Sequence, residues 1–306
     1  MFNKIFHINV FFSIALIALW GLITFYENPV DVRDNITAMD LRLNGIKISK
    51  NEGLEYANFN NCKIKDDCNC KVIIHGIGDN FQNWSKVLKG VKKNKVQGHW
   101  IAFNYPGTGN SDPFPSKDAF KIKNFAENIN TRISKICDGP IDIIAGSMGT
   151  WISFWWTILY PEKINSLVLL NAIGAYADYS WLADIMVNPT IPKLKELHKR
   201  GYHEKAWYPD QVYKNTIANI VKRGNRDFIM SQDITMAVDK YLPNIKQKTF
   251  IIWGRSDKIL PLETYSTYLE KMPNVQGEII EGCGHVPNSE CPEKVVSVLK
   301  NFYISP

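Results

Sequence analysis

The sequence is poor in the residues that build metal sites. Its 306 residues hold six Cys and six His, with no CxxC pair, which argues against a zinc-ribbon architecture. Charge of one sign is barely in excess: 36 Lys plus Arg against 30 Asp plus Glu, net +6. That leaves no basic footprint for nucleic acid, so no nucleic-acid partner is expected. Internal repeats and low-complexity tracts are also missing, so solenoids and biased tails are set aside. What is present is a globular composition: 45% hydrophobic and 22% charged, with 9 Trp, 13 Tyr and 15 Phe. Disorder throughout, collagen and a coiled-coil rod are excluded, and there is chain enough for one large core or two modest ones.

The N-terminus stands apart. Lys4 is followed by 22 uncharged residues, Ile5 to Tyr26, before Glu27. Their core, VFFSIALIALWGLITFY, is 17 residues long, short for a spanning helix and long for a signal-peptide core. No small-x-small cleavage site follows, so residues 1–27 read first as an uncleaved membrane anchor, then as a cleaved signal, and last as a buried helix. Lys4 precedes the run, and Glu27, Asp31 and Asp34 follow it. The positive flank keeps the start of the chain in the cytoplasm and places the rest outside, membrane-anchored or secreted after cleavage. In an oxidising compartment the even cysteine count can give three bridges. Cys283 and Cys291, close in sequence, are the natural first pair; in a cytoplasmic protein all six would be free thiols.

Residues 28–36 read as a polar linker. DLRLNGIKIS alternates around Asn44-Gly45, a hairpin signal, and LEYANF reads as another strand. From residue 71 a rhythm sets in. KVIIHG, HWIAFNYPGTG, IDIIAGSMG, SLVLLNA, TFIIWG and GEIIEG are buried-strand candidates, each ending in a loop. Helix-like stretches lie between them: FQNWSKVLKGVKK, DAFKIKNFAENINTRISKI, GTWISFWWTILY, LETYSTYLEKM and PEKVVSVLKNFY. This is an α/β pattern, a mostly parallel sheet with helices on both faces, and its chemistry belongs at the carboxyl ends of the strands. About seventy residues between LVLLNA and TFIIWG carry no core strand and read as a helical insertion over those ends.

In IDIIAGSMGT, Ser147 sits between an apolar strand and the apolar helix WISFWWTILY. Small residues two before and two after it, Ala145 and Gly149, allow the sharp turn that projects a hydroxyl over a sheet. A hydroxyl needs a base, and His285 in EGCGHVPNSECPEKV lies on a Gly-rich loop after the last strand. His75 is a weaker candidate, better placed to shape its own loop; His7, His99, His198 and His203 have no such setting. The base needs an orienting carboxylate; Asp257 in IIWGRSDKILP stands four residues past a strand, with Glu281 a weaker substitute. The other strand end available for an acid offers Asn171. An oxyanion hole is supplied by the amide of Met148 and by that of Ile77 in HGIGDN, where Gly76 and Gly78 permit the turn.

These motifs, in this order, resemble the α/β-hydrolase fold superfamily, in its Ser-His-Asp, esterase- and lipase-like branch, from about residue 37 to 303. HGIGDN resembles its oxyanion loop, AGSMG its nucleophile elbow, WGRSDKILP its acid loop and GCGHVP its histidine loop. NYPGTGNSDP resembles a further loop often written D-x-R-G-x-G-x-S, with Asn104 and Pro106 replacing its charged residues. The resemblance implies a core over 37–171 and 246–306, with a helical cap over 172–245. Its strand order implies that Cys70 and Cys137 approach each other, Cys68 being the rival partner. It implies a serine hydrolase of carboxylic esters working through an acyl-enzyme on Ser147, with a small-molecule or lipid ester as substrate and no cofactor or metal. Trp181, Leu182, Ile185 and Met186 of SWLADIMV would line an acyl pocket, or else pack the cap on the core. Trp151, Trp155 and Trp156 belong to the core. A C–C bond hydrolase, an amidase or peptidase, and a non-catalytic ligand receptor of the same fold are the alternatives.

Overall fold

The structure, a computed structural model, describes residues 26–62, 68–204, 207–222, 224–232 and 236–304. The apolar run Ile5–Tyr26 lies outside them save for Tyr26. Among the described residues no helix is long and apolar enough to cross a membrane.

Eight strands form one sheet: β1 (Lys47–Asn51), β2 (Leu54–Asn60), β3 (Cys70–Ile74), β4 (His99–Asn104), β5 (Ile141–Gly146), β6 (Ile164–Leu170), β7 (Lys248–Gly254) and β8 (Val275–Ile280). Their order is β1-β2-β4-β3-β5-β6-β7-β8. β1 and β2 are antiparallel, and β2 joins β4 antiparallel; all the remaining pairs are parallel.

The strands are apolar on both faces because both faces are covered. Residues two apart face the same way, so each strand feeds two cores. Val72, Ile74, Ile101, Phe103, Ile143, Ala145, Leu167 and Leu169 point to one. There they meet Phe125 and Ile129 of α3 (Ile122–Ile133), Ile152 and Trp155 of α4 (Met148–Leu159) and Tyr268 of α9 (Leu262–Lys271). Ile73, Trp100, Ala102, Ile144, Val168 and Leu170 point to the other. Its helices are α1 (Pro29–Leu43), α2 (Ser85–Lys93) and α10 (Pro292–Ile304), which contribute Leu41, Leu88 and Leu299. Trp155 and Trp156 are buried and Trp151 packs at the edge of the first core, as expected.

Two local expectations fail together. Residues 29–43 are neither linker nor strand but helix α1, and Asn44-Gly45 ends it. Gly45 takes φ +70°; its N–H donates to Arg42 O, and that of Ile46 donates to Leu41 O. This is a left-handed helix stop closed by an apolar contact, for Leu41 and Ile46 share one core. The hairpin lies further on, between β1 and β2, with Gly53 at φ +72° in its turn.

Between β6 and β7 come α5 (Ser180–Val187), α6 (Ile191–Gly201), α7 (Asp210–Lys222) and α8 (Asn225–Met230). They close on a small core of their own, Ile185, Met186, Leu194, Tyr213 and Ile220. All six cysteines are paired, as Cys62–Cys68, Cys70–Cys137 and Cys283–Cys291. Asn104, where the resembled pattern has an acid, donates to the buried carboxylate of Glu55 and accepts from the Phe81 amide. Hydrogen bonds from an amide side chain to a buried carboxylate thus hold this loop.

Candidate active site

Ser147 joins β5 to α4 at φ 50° and ψ −125°. The strain of that left-handed backbone is held by its surroundings: the Ser147 amide donates to Leu170 O of β6 at 3.0 Å. Gly149 makes the turn possible. A Cβ there would lie 2.5 Å from Ile74 O and 2.7 Å from His75 O, so α4 could not approach β3 with any side chain at this position. Ala145 is fully buried on β5 and its methyl is accommodated.

His285 sits on the loop after β8. Its Nε2 is 2.9 Å from Ser147 Oγ and its Nδ1 is 2.8 Å from Asp257 Oδ2. Asp257 lies past β7, its side chain fully buried. Its Oδ1 accepts from the amides of Ile259 at 2.7 Å and Leu260 at 3.1 Å, and its Oδ2 also accepts from Asn171 Nδ2 at 2.6 Å. Every lone-pair direction of the carboxylate is thereby used. The structure brings Ser147, His285 and Asp257 into one line. Glu281 instead pairs with Arg255, away from that line.

The loop after β3 turns toward Ser147: a Cβ on Gly76 would lie 3.2 Å from Ser147 Cβ. Gly78 takes φ +72°. His75 is fully buried, stacked on Tyr105 at 3.8 Å, with Nδ1 2.8 Å from Gly76 O. It shapes this loop. Among the described residues, no turn or loop hydrogen bond engages the amide of Ile77 or of Met148.

A cavity of about 740 Å³ opens at Ser147 and His285. Leu182 and Met186 line it. Trp181 and Ile185 do not: Ile185 is buried within the cap core, and Trp181 lies under the Arg200 guanidinium at 4.3 Å. Much of the wall was not foreseen, including Leu194, Leu197 and Tyr202 around α6 and Val212 of α7. Pro29, Val30 and Arg33 of α1 complete it. Burial pushes the Tyr202 phenol far up, helped by Asp79, and pushes the His198 imidazole down. Both are uncharged at neutral pH.

Two further groups hold this line of side chains in place. Asn171, at φ 44° on the end of β6, is fully buried. It donates to Asp257 and accepts from the Gly254 amide, so it ties β6 to the acid loop. The end of α6 does the same from above: His285 N–H donates to Gly201 O at 2.6 Å and Lys258 N–H to Arg200 O at 3.0 Å. Glu290 closes this contact, accepting from the Gly284 and His203 amides at 2.7 and 2.8 Å. Glu290→Ala takes the partner from the part-buried Gly284 amide and loosens the loop that carries His285. At about 1–2 kcal/mol, kcat for a good substrate should fall about tenfold while KM changes little, as steady-state kinetics would show.

Comparison with known proteins agrees with this fold. The profile described as alpha/beta hydrolase fold matches residues 72–292. The 2-hydroxy-6-oxononadienedioate/2-hydroxy-6-oxononatrienedioate hydrolase of Escherichia coli (strain K12) is 24% identical over 272 residues, covering 81% of this chain and 91% of the relative. Among solved structures, a membrane phospholipase A described as a novel bacterial virulence factor superposes with TM-score 0.75 at 19% identity, covering 99% of this chain and 100% of that one. The 2-hydroxy-6-oxo-6-phenylhexa-2,4-dienoate hydrolase of Rhodococcus sp. strain RHA1 gives 0.69 at 15% identity, covering 85% and 99%. With the sheet order, the turn at Ser147 and the profile match in agreement, the chain belongs to the alpha/beta hydrolase fold family.

Proposed function

We propose that this hydrolase cleaves carboxylic esters with an apolar acyl group. Ser147 is the nucleophile, His285 the general base and acid, and Asp257 the group that orients the imidazole. The observation that carries this reading is the line Asp257–His285–Ser147 opening into the 740 Å³ cavity with its largely neutral, apolar wall. Ser147 Oγ attacks the ester carbonyl as His285 Nε2 takes its proton, and the amides of Ile77 and Met148 receive the oxyanion. His285 then protonates the leaving alcohol. Water, deprotonated by the same imidazole, releases the acid. No metal or cofactor takes part. Leu182 and Met186 contact the acyl chain, and residues 172–245 act as the cap. The three disulfides support an extracytoplasmic catalytic domain, with residues 1–27 as its anchor or signal.

The names of the Escherichia coli and Rhodococcus relatives favour a second reading, hydrolysis of a C–C bond in a dienoate. Their substrates carry carboxylates, one or two. Among the described lining residues Arg33 is the only Lys or Arg, and its guanidinium is engaged by Asp34. A cavity so poor in free positive charge suits a neutral ester better. The test is turnover of nitrophenyl esters of increasing acyl length by the full chain, with a Ser147→Ala blank, beside a dienoate and an anilide. Rates that rise with acyl length on esters alone support the proposal. Turnover confined to the dienoate or the anilide replaces it with the C–C or amide reading, and none at all with the receptor reading.

A further inference from the structure

Helix α1 has two working faces. Its inner face carries Leu41 into the core and presents Pro29, Val30 and Arg33 to the cavity. Its first turns are joined to cap helix α7. The Val30 amide donates to Asn215 Oδ1 at 3.1 Å, Gln211 Nε2 to Glu27 O at 3.1 Å and Asn219 Nδ2 to Asp31 Oδ1 at 3.4 Å. Gln211, Thr216 and Asn219 of α7 also line the cavity. One wall of the cavity is therefore the seam between α1 and α7.

The outer face is apolar and uncovered. Ile36, Met39 and Leu43 are 62%, 62% and 77% exposed. They stand three and four residues apart, so they form one stripe, with Val32 one turn earlier on the same line. Single exposed apolar residues need no explanation, whereas a stripe of them on one helix does. The chain that precedes α1 narrows the choice of what covers it. The uncharged run Ile5–Tyr26 ends three residues before Pro29. That run reads first as a membrane anchor; as an anchor it would bring the start of α1 to the lipid surface, with the stripe along the same helix.

We propose that α1 lies on a lipid bilayer with Ile36, Met39 and Leu43 seated among the acyl chains, and that the ester substrate is a bilayer lipid that enters through the seam between α1 and α7. On its α7 side the seam is lined by neutral amides and a hydroxyl, and on its α1 side by Asp31 and Arg33; these polar groups pass a headgroup, while the cavity beyond takes the acyl chain. The substrate half of this proposal rests on the ester-hydrolase reading; the docking half does not.

The test separates the two halves. Full-length protein is reconstituted in phosphatidylcholine vesicles containing a fluorogenic diacyl lipid, and a dispersed short-chain nitrophenyl ester is assayed in parallel. Ile36→Asp/Met39→Asp/Leu43→Asp is expected to lower hydrolysis of the vesicle lipid about tenfold and leave the short ester unchanged. A second readout needs no activity. A Met39→Cys variant labelled with an environment-sensitive dye should blue-shift in vesicles and be quenched by a nitroxide lipid. A label at Glu127→Cys, on α3 across the sheet, should not. A label at 39 that stays water-like overturns the docking. One that blue-shifts without lipid quenching assigns the stripe to a second copy of the chain instead. Unchanged vesicle hydrolysis in the triple variant overturns the seam as the lipid's route. A wild type that cleaves neither ester removes the ester reading, and with it the lipid substrate, while the label still decides the docking.

Discussion

Asp257→Asn is expected to lower kcat on a good ester about ten-thousandfold while leaving the fold intact. The reason lies in which atoms hold the side chain. The amides of Ile259 and Leu260 both point at Oδ1, so the carbonyl oxygen of the new amide stays there. Its NH2 then takes the place of Oδ2 and faces two donors, Asn171 Nδ2 and the His285 Nδ1–H. Asn171 is held by its bond to the Gly254 amide and has no room to reverse. The imidazole relieves the conflict by giving up the Nδ1 proton, and the neutral ring then carries its proton on Nε2. A protonated Nε2, 2.9 Å from Ser147 Oγ, is a donor to the hydroxyl and no longer a base. Steady-state kinetics measure the loss, and an unchanged denaturation midpoint shows that only the chemistry has gone. A variant retaining more than about a tenth of the activity would remove Asp257 from the role given to it.

The same residues show where sequence reasoning reaches and where it stops. Ser147 was legible because a strained turn between a buried strand and a buried helix tolerates few residues around it; Gly149 against Ile74 O is that constraint in space. His285 and Asp257 were legible from their distance past their strands. Asn171 was visible as an empty acid position, but its use was not. Its bond to Asp257 depends on β6 lying beside β7, with Leu170 opposite Ile252, and no local pattern encodes that register. The pairing of Cys70 with Cys137, which the resemblance implies through the family's strand order, is present because β3 and β5 are neighbours. Helix α1 was misread because DLRLNGIKIS satisfies two templates, an alternating hairpin and a helix with a glycine stop. The common burial of Leu41 and Ile46 decides between them, and that is a tertiary fact. Of the four residues expected to line an acyl pocket, two do. SWLADIMV is apolar on nearly every side, so its composition could not say that Leu182 and Met186 face the cavity while Ile185 faces the cap.

At the far end of the same sheet, Lys71→Met is expected to cost about 3–5 kcal/mol of stability and none of the chemistry. Lys71 and Asp142 are 5% and 2% exposed, on adjacent strands β3 and β5, with Nζ 2.7 Å from Oδ2. Asn165 and Ser166 satisfy Asp142 Oδ1, and the ammonium lies 3.4 Å from the centre of the Tyr303 ring. Burial pushes the lysine down, against the pull of Asp142. Each charge offsets part of the cost of burying the other, and either charge alone is costly. Methionine fills the space of the lysine stem but leaves Asp142 as an unpaired buried carboxylate. Lys71→Met/Asp142→Asn removes both charges and keeps an oxygen for Ser166, so it should recover most of the loss. Urea denaturation of the four proteins with disulfides intact gives the coupling as a double-mutant cycle. A cycle showing no coupling would mean the pair is solvated in solution. Lys71 stands at the start of β3, whereas the loop that approaches Ser147 leaves from its other end. Activity per folded molecule should therefore be unchanged in Lys71→Met, the reverse of Asp257→Asn. One strand carries both demands, a charged pair that sets how stable the sheet is and a loop that sets what happens above it.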